Sequence, residues 1–277
     1  VNLEVITSNV IVLAKQAGAY LLSELNLIQD EHIEIKGQGD FVSRADRNAE
    51  KMLVEGLKRL VPGSVVMAEE GTSEAEEGDW RWIVDPLDGT ANYLQGLPLY
   101  AVSIALEDRR SHPDGWGQRV VGVVYLPGIN VVYHSFAGGG AWKNGKMIRV
   151  RNRRDLKRAM LATAFPFRNR ENIDNYLNLF TNLYPKISDF RRIGSAAADM
   201  SWVSDGTFDG YFEMDLKPWD LAAGALILEE AGGIVTDWWG NDVLDTCWVV
   251  CGNRLSYEAQ MKEIQKLNFE PPETKWR

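Results

Sequence analysis

The chain has 277 residues, a formal net charge of −9, and 45% hydrophobic residues including 10 Trp. That length suits one large domain or two tightly joined lobes around a sizeable core. The acidic balance argues against a nucleic-acid-binding surface, which is normally basic. One local exception is the cluster Arg149, Arg151, Arg153, Arg154, Lys157 and Arg158, which reads as a solvated connection between lobes. No apolar run approaches the ~20 residues of a membrane span. No charged n-region followed by an apolar h-region opens the chain, so no signal peptide is expected. Cys247 and Cys251 are the two cysteines and read as part of one buried strand. Four strand residues separate them by ~13 Å, beyond the ~7 Å a disulfide tolerates. Two buried thiols fit a reducing cytoplasm.

Ile6, Val10, Leu13, Ala17 and Leu21 recur at helical spacing and predict a first amphipathic helix. Ala45, Ala49, Leu53, Leu57 and Leu60 predict a second, ended by Val61-Pro62-Gly63. Residues 65–68 read as a short strand running up to Glu69, with further strands at 80–84, 101–106, 120–125 and 131–135. Gly138-Gly139-Gly140 reads as a loose hairpin connection, and Lys143-Asn144-Gly145-Lys146 as a tight hairpin turn. Helices followed by a run of strands form an α+β pattern. Beyond it, strands at 160–164, 189–193, 210–213, 234–236 and 248–250 alternate with helices at 173–183, 196–204, 219–231 and 255–267. That alternation is an α/β pattern. The boundary is placed near residue 150, giving lobes over 1–150 and 151–277, with a polar, frayed tail from residue 267.

Asp85-Pro86-Leu87-Asp88-Gly89-Thr90 is the segment richest in chemistry. Pro-x-Asp-Gly alone is a common turn. Here, however, Asp85 closes an apolar strand, and acids at strand ends face the crevice where ligands bind. A turn then returns Asp88 toward Asp85 and aims the Leu87 carbonyl into the same space. Hard cations such as Mg²⁺ take oxygen ligands of this kind. A calcium loop would need acids at alternate positions before a Gly, which this stretch lacks. An aspartyl-nucleophile phosphatase of the haloacid dehalogenase type carries Asp-x-Asp-x-Thr; here the acids stand one residue further apart. No phosphate-binding Gly-rich loop is present, and His32, His112 and His134 lie apart from any acid or Cys cluster.

Four further segments complete a pattern: Met67-Ala68-Glu69-Glu70-Gly71, Trp219-Asp220-Leu221-Ala222-Ala223-Gly224, Glu229-Glu230-Ala231-Gly232-Gly233, and Asp40-Phe41-Val42-Ser43-Arg44-Ala45-Asp46. With the central motif they resemble the inositol monophosphatase family of lithium-sensitive, Mg²⁺-dependent phosphatases. The resemblance spans nearly the whole chain. It implies the family's layered αβαβα sandwich, combining the α+β and α/β halves, and it implies a homodimer.

The resemblance also implies roles. Glu69, Asp85 and the Leu87 carbonyl would hold one Mg²⁺, and Asp85, Asp88 and Asp220 a second. Glu69 would reach a third, weaker ion through water. Thr90 and Asp46 match the pair that orients and deprotonates the attacking water. Substrate contacts would come from Asp88, Gly89, Thr90, Gly194, Ser195, Ala196 and Glu213. Among these, Gly194-Ser195-Ala196 opens a helix whose N–H groups suit a phosphate. Arg191-Arg192-Ile193-Gly194-Ser195, Leu216-Lys217-Pro218-Trp219-Asp220 and Phe165-Pro166-Phe167 look like the bacterial inositol-phosphatase subgroup. The implied reaction is hydrolysis of inositol monophosphate or a similar polyol phosphate in the cytoplasm. Fructose 1,6-bisphosphate and other sugar or nucleotide phosphates are alternatives. Some bacterial relatives also bind transcription machinery, and the Arg149–Arg158 cluster is the feature that would serve such a partner.

Overall fold

The computed structural model describes residues 2–25, 33–37, 40–71, 78–112, 115–166, 170–267 and 269–272. Helix α1 (Leu3–Glu24) starts where the Asn2 side chain accepts from the Val5 N–H, and it buries Ile6, Val10, Ala14, Ala17 and Leu21. Its length and apolar content alone would suffice to cross a membrane, which corrects the expectation that no run approaches that size. Polar residues such as Thr7 and Lys15 interrupt it in sequence, and in the fold its stripe packs on helix α2 (Arg44–Leu60) and on a sheet strand. Between these helices, β1 (Ile33–Gly37) and β2 (Asp40–Ser43) form a two-stranded antiparallel ribbon that the sequence patterns did not suggest.

A seven-stranded sheet follows in simple chain order: β3 (Val65–Ala68), β4 (Trp80–Asp88), β5 (Ala101–Asp108), β6 (Gln118–Leu126), β7 (Val131–Phe136), β8 (Ala141–Lys143) and β9 (Lys146–Ile148). Only the β3–β4 pair is parallel. The β8–β9 turn is the expected Asn144-Gly145, both at positive φ. The Gly138–Gly140 connection is less loose than expected, because both oxygens of Glu230 accept from it, at 2.7 Å from Gly138 N and 2.8 Å from Gly140 N.

Strand β4 departs from expectation. It continues through Pro86 to Asp88 rather than stopping before Asp85. Asp85 pairs with Ser103 and Asp88 with Ala101, so β4 carries one residue more than β5 between these pairs. That extra residue is a β-bulge. Pro86 has no N–H to give the ladder, and the Leu87 N–H turns instead to Asp85 Oδ1 at 2.8 Å. The turn comes only afterwards, at Gly89, whose φ of 89° is left-handed.

The second sheet has five strands: β10 (Met160–Thr163), β11 (Asp189–Arg191), β12 (Gly210–Glu213), β13 (Ile234–Asp237) and β14 (Val249–Gly252), in the order β11-β10-β12-β14-β13. It is mixed: β10 runs parallel to β11 and β12, while β14 is antiparallel to β12 and β13. Helices α4 (Ile173–Leu183), α5 (Ala196–Ser204), α6 (Pro218–Glu230) and α8 (Arg254–Ile264) match expectation within a few residues at each end. Short helices α3 (Thr90–Leu94) and α7 (Val243–Thr246) were not expected. Cys247 is not in a strand: it ends α7 at φ 57°, whereas Cys251 lies in β14, and both thiols are buried and free.

These elements stack as a layered αβαβα sandwich. Helices α1 and α2 cover one face of the large sheet; α5 and α6 fill the space between the sheets; α4 and α8 lie on the outside of the small sheet. The largest apolar cluster is the central one, joining Ile83, Ala105 and Val124 to Ala197, Met200, Ala222, Leu228, Val249 and Cys251. Close approach there demands small residues: a Cβ on Gly122 would lie 2.8 Å from the Ala223 carbonyl oxygen.

Candidate active site

The β4 bulge sets the geometry. In a regular strand, positions three apart point to opposite faces. The extra residue brings Asp85 and Asp88 to the same side. Asp220 reaches them from the first turn of α6, where its Oδ2 also accepts from the Lys217 N–H at 2.9 Å. One carboxylate oxygen from each of Asp85, Asp88 and Asp220 lies within 4.8 Å of the others. All three side chains are buried or nearly so. Glu69 directly follows β3, whose Ala68 pairs with Val84, so Glu69 stands alongside Asp85. It acts on Asp85 electrostatically but is outside the tight trio.

Such crowding is unfavourable without cations. Two carboxylates about 4 Å apart repel by ~4 kcal/mol at an effective dielectric near 20. Burial, then the charges of Glu69, Asp88 and Asp220, hold the Asp85 carboxyl well above the usual carboxylate range. Burial and Asp220 push Asp88 up to about 7, although donors from Ser195, Ala197 and Ala196 oppose the rise. Oxygen-only ligands, clustered and destabilised as anions, fit a hard divalent cation.

Thr90, the first residue of α3, sits at the rim of this trio. Its Oγ1 lies 3.3 Å from Asp46 Oδ1 and 3.1 Å from the Leu87 carbonyl oxygen. Asp46 comes from the first turn of α2 and is 1% exposed. One helical turn on, Glu50 accepts from the Glu70 N–H at 2.6 Å, which ties the Glu69-Glu70 loop to α2. The sequence reading did not single out Glu50; its i, i+4 spacing from Asp46 on one helix face was the available signal.

The N-terminus of α5 meets the trio from the layer between the two sheets. Ser195 Oγ donates to Asp88 Oδ2 at 2.6 Å, and the Ala197 N–H donates to the same oxygen at 2.7 Å. These two donors, which engage a carboxylate of the chain itself, are not the Gly194–Ala196 backbone N–H groups expected to face a phosphate. Gly89 and Gly194 pass closely: a Cβ on Gly89 would stand 3.0 Å from the Gly194 carbonyl oxygen. Asn92 of α3 locks this approach, its Nδ2 donating to the carbonyls of Leu99 at 2.6 Å and Ile193 at 2.9 Å. The structural role of Asn92 depends on residue 193, 101 positions away.

Glu213 ends β12 and is 5% exposed, with its Oε2 accepting from the Tyr211 hydroxyl. Behind it, Thr163 Oγ1 donates to the Phe212 carbonyl at 2.9 Å and pairs with the Tyr176 hydroxyl. The expected Phe165-Pro166-Phe167 segment is described only to Pro166, and Phe167 lies outside the described residues. In the basic cluster, Arg153 pairs with Asp209 at 2.9 Å, whereas Arg149, Arg151, Arg154, Lys157 and Arg158 are exposed.

Two sheets enclosing a central helical layer, with a carboxylate trio at its edge, define a class of acidic, metal-compatible site. The Inositol monophosphatase family profile matches residues 2–269. An inositol-1-monophosphatase of Mesorhizobium japonicum is 41% identical over 255 residues, covering 91% of this chain and 93% of the relative. A fructose-1,6-bisphosphatase/inositol-1-monophosphatase of Aquifex aeolicus is 40% identical, over 81% of this chain and 83% of the relative. The Nus factor SuhB of Vibrio cholerae is 38% identical, over 91% and 93%. The crystal structure of extragenic suppressor protein suhB from Bartonella henselae superposes with a TM-score of 0.86 at 37% identity, covering 94% of this chain and 98% of that one. The chain belongs to the inositol monophosphatase family. That membership supports phosphatase activity, and the acidic trio agrees with the metal dependence general in the family.

Proposed function

We propose that the protein hydrolyses a phosphate monoester of a polyol, foremost inositol monophosphate, with Mg²⁺ as cofactor. The observation that carries this reading is the Asp85–Asp88–Asp220 trio beside the Thr90–Asp46 pair. Asp85, Asp88, Asp220, Glu69 and the Leu87 carbonyl are the groups that would hold the ions. Bound there, Mg²⁺ would supply positive charge to polarise the phosphoryl group and acidify water.

The chain's own groups do the rest. Thr90 donates its hydroxyl proton to Asp46 or Leu87, which leaves its oxygen free to accept from a water and orient it. Asp46 is the acceptor for the proton that reaches Thr90. The water oxygen bonds to phosphorus, the P–O bond to the polyol breaks, and the leaving alkoxide takes a proton from solvent water, balancing the one the attacking water gives up. Glu213 accepts hydrogen bonds from polyol hydroxyls. The N–H groups at the start of α5, with Gly194 and Gly89 giving close backbone access, would face the phosphate. No phosphoenzyme is needed, because the attacking group in this reading is the water that Thr90 orients.

The test is phosphate release from a panel with and without Mg²⁺: inositol 1-phosphate, fructose 1,6-bisphosphate, histidinol phosphate and adenosine 3′,5′-bisphosphate. Release fastest from inositol 1-phosphate, abolished by EDTA and restored by Mg²⁺, is the expected result. Release unaffected by EDTA would overturn the metal assignment. A preference for fructose 1,6-bisphosphate would move the chain toward the activity named for the Aquifex aeolicus relative.

A second reading concerns partners. Relatives carry the name Nus factor SuhB, and the exposed bases of the Arg149–Arg158 segment contrast with the chain's net charge of −9. We infer that this segment would dock an acidic surface of transcription machinery, in addition to catalysis. Reversal of Arg149, Arg151, Arg154 and Arg158 to Glu should abolish pull-down of such a partner while Asp85→Asn leaves it intact. We also propose a homodimer, measurable as the sedimentation mass.

A further inference from the structure

One buried hydroxyl lies outside the machinery described above. Ser103 stands in the middle of β5 and is fully buried, and its same-face neighbours along the strand are Ala101 and Ala105. Both alanines belong to the central apolar cluster, together with Trp219, Ala222 and Ala223 of α6. A hydroxyl taken out of water into such a place costs free energy unless it is hydrogen-bonded. A third alanine would fill this stretch without that requirement. The Ser103 hydroxyl is bonded: its Oγ donates to the Trp219 carbonyl at 2.9 Å, across 116 positions of the chain.

That bond joins the two elements that carry the acidic trio. Ser103 is the register partner of Asp85, so the two side chains stand beside each other on one face of the sheet. Trp219 immediately precedes Asp220 in the first turn of α6. A second anchor lies one helical turn further on. Trp219 and Ala223 are four apart and share a face of α6, and Ala223 packs against Gly122 of β6 so closely that a Cβ there would lie 2.8 Å from its carbonyl oxygen. Gly122 pairs with Ala105, two residues along β5 from Ser103. One close contact sets the distance of helix from sheet and acts as a pivot; a second is needed to fix the direction of the helix. The Ser103 bond is that second contact, at the end that bears Asp220.

Resting on the Mg²⁺-dependent reading of this site, we propose that Ser103 is a positioning residue that holds Asp220 at its distance from Asp85 and so sets the affinity of the trio for Mg²⁺. Carboxylates that repel one another must be kept together by the fold before a cation arrives. The Ser103 bond supplies that restraint one residue from Asp220 and directly beside Asp85. Without it, repulsion would move the first turn of α6 away from β4, and Mg²⁺ would have to draw the turn back on binding. The filled site would be little changed. Ser103 itself is 0% exposed and acts only through the backbone carbonyl it holds.

The experiment measures Mg²⁺ binding to the full chain by titration calorimetry, beside phosphate release and thermal melting. Ser103→Ala should weaken Mg²⁺ binding about tenfold, the fold-change that corresponds to one lost hydrogen bond. Its kcat at saturating Mg²⁺ should hold within about threefold of the wild type. Ser204 supplies the comparison: it is equally buried, and its hydroxyl donates to the Met200 carbonyl within its own helix, α5. Ser204→Ala should lower the melting temperature in EDTA much as Ser103→Ala does, yet leave the Mg²⁺ dissociation constant unchanged. Ser103→Cys keeps the shape with a weaker donor and should weaken Mg²⁺ binding by about threefold, which keeps the test decisive if Ser103→Ala does not fold. Wild-type Mg²⁺ affinity in either folded Ser103 variant would overturn the proposal, as would an equal weakening by Ser204→Ala. Wild-type protein that binds no Mg²⁺ would overturn the metal reading itself, a result separable from any variant.

Discussion

Thr90 and Asp46, 44 residues apart, meet at 3.3 Å between a side-chain hydroxyl and a carboxylate oxygen. Each opens a different helix, and the pairing places a hydroxyl with a proton acceptor at the rim of the acidic trio. Thr90→Ala should lower kcat by about 100-fold, at the low end of what positioned proton transfer contributes. Mg²⁺ affinity should stay within a few-fold, because Thr90 is not among the carboxylate ligands. Thr90→Ser should recover most of the rate. A Thr90→Ala enzyme whose sole defect is a higher Mg²⁺ requirement would refute the role.

Asp85→Asn and Asp220→Asn remove charge with little change of shape. Each should abolish Mg²⁺-dependent phosphate release. In EDTA, each should also raise the melting temperature, since each relieves repulsion within the trio. The paired measurement, activity with Mg²⁺ and thermal melting without it, should give opposite signs. A variant that melts lower in EDTA and retains turnover contradicts the assignment.

The pH dependence of stability follows from Asp88. Its folded-state carboxyl is raised from 3.8 to about 7. A group raised on folding contributes its stability below the unfolded value and loses it as pH rises through the folded value. Metal-free protein should therefore lose stability as pH climbs from about 4 to about 7, with Asp85 adding in the same direction. Saturating Mg²⁺ should flatten this slope, because the cation binds the ionised form. Urea melts at several pH values, with and without Mg²⁺, measure both effects.

Asn92 spans two segments of the site through its bonds to Leu99 and Ile193. Asn92→Ala leaves two carbonyls without that donor in a nearly buried place. The expected cost is about 1–3 kcal/mol, read as a lower denaturant midpoint. Because Gly194 follows Ile193, phosphate affinity should fall as well. Unchanged stability together with unchanged KM would remove Asn92 from this account.

Much of the molecule was legible from local pattern. Ile6 to Leu21 and Ala45 to Leu60 show helical periodicity strong enough to locate α1 and α2, and Asn144-Gly145 marked its hairpin. Other elements were invisible for physical reasons. The β1–β2 ribbon has no clean apolar alternation, and α3 is a single turn that follows a left-handed glycine. Cys247 looked like strand because its neighbours are apolar, yet its positive φ ends α7.

The site divides the same way. Residue type and order in Asp85-Pro86-Leu87-Asp88-Gly89-Thr90, Trp219-Asp220 and Glu69 were enough to nominate an acidic, metal-compatible site and its family. They could not place the acids. A spacing of three along a strand separates two side chains to opposite faces, and only the bulge against β5 reunites Asp85 with Asp88. The clasp of Ser195 and Ala197 on Asp88 belongs wholly to the tertiary structure. It joins residues more than a hundred positions apart, and it depends on how the layers pack rather than on any local pattern.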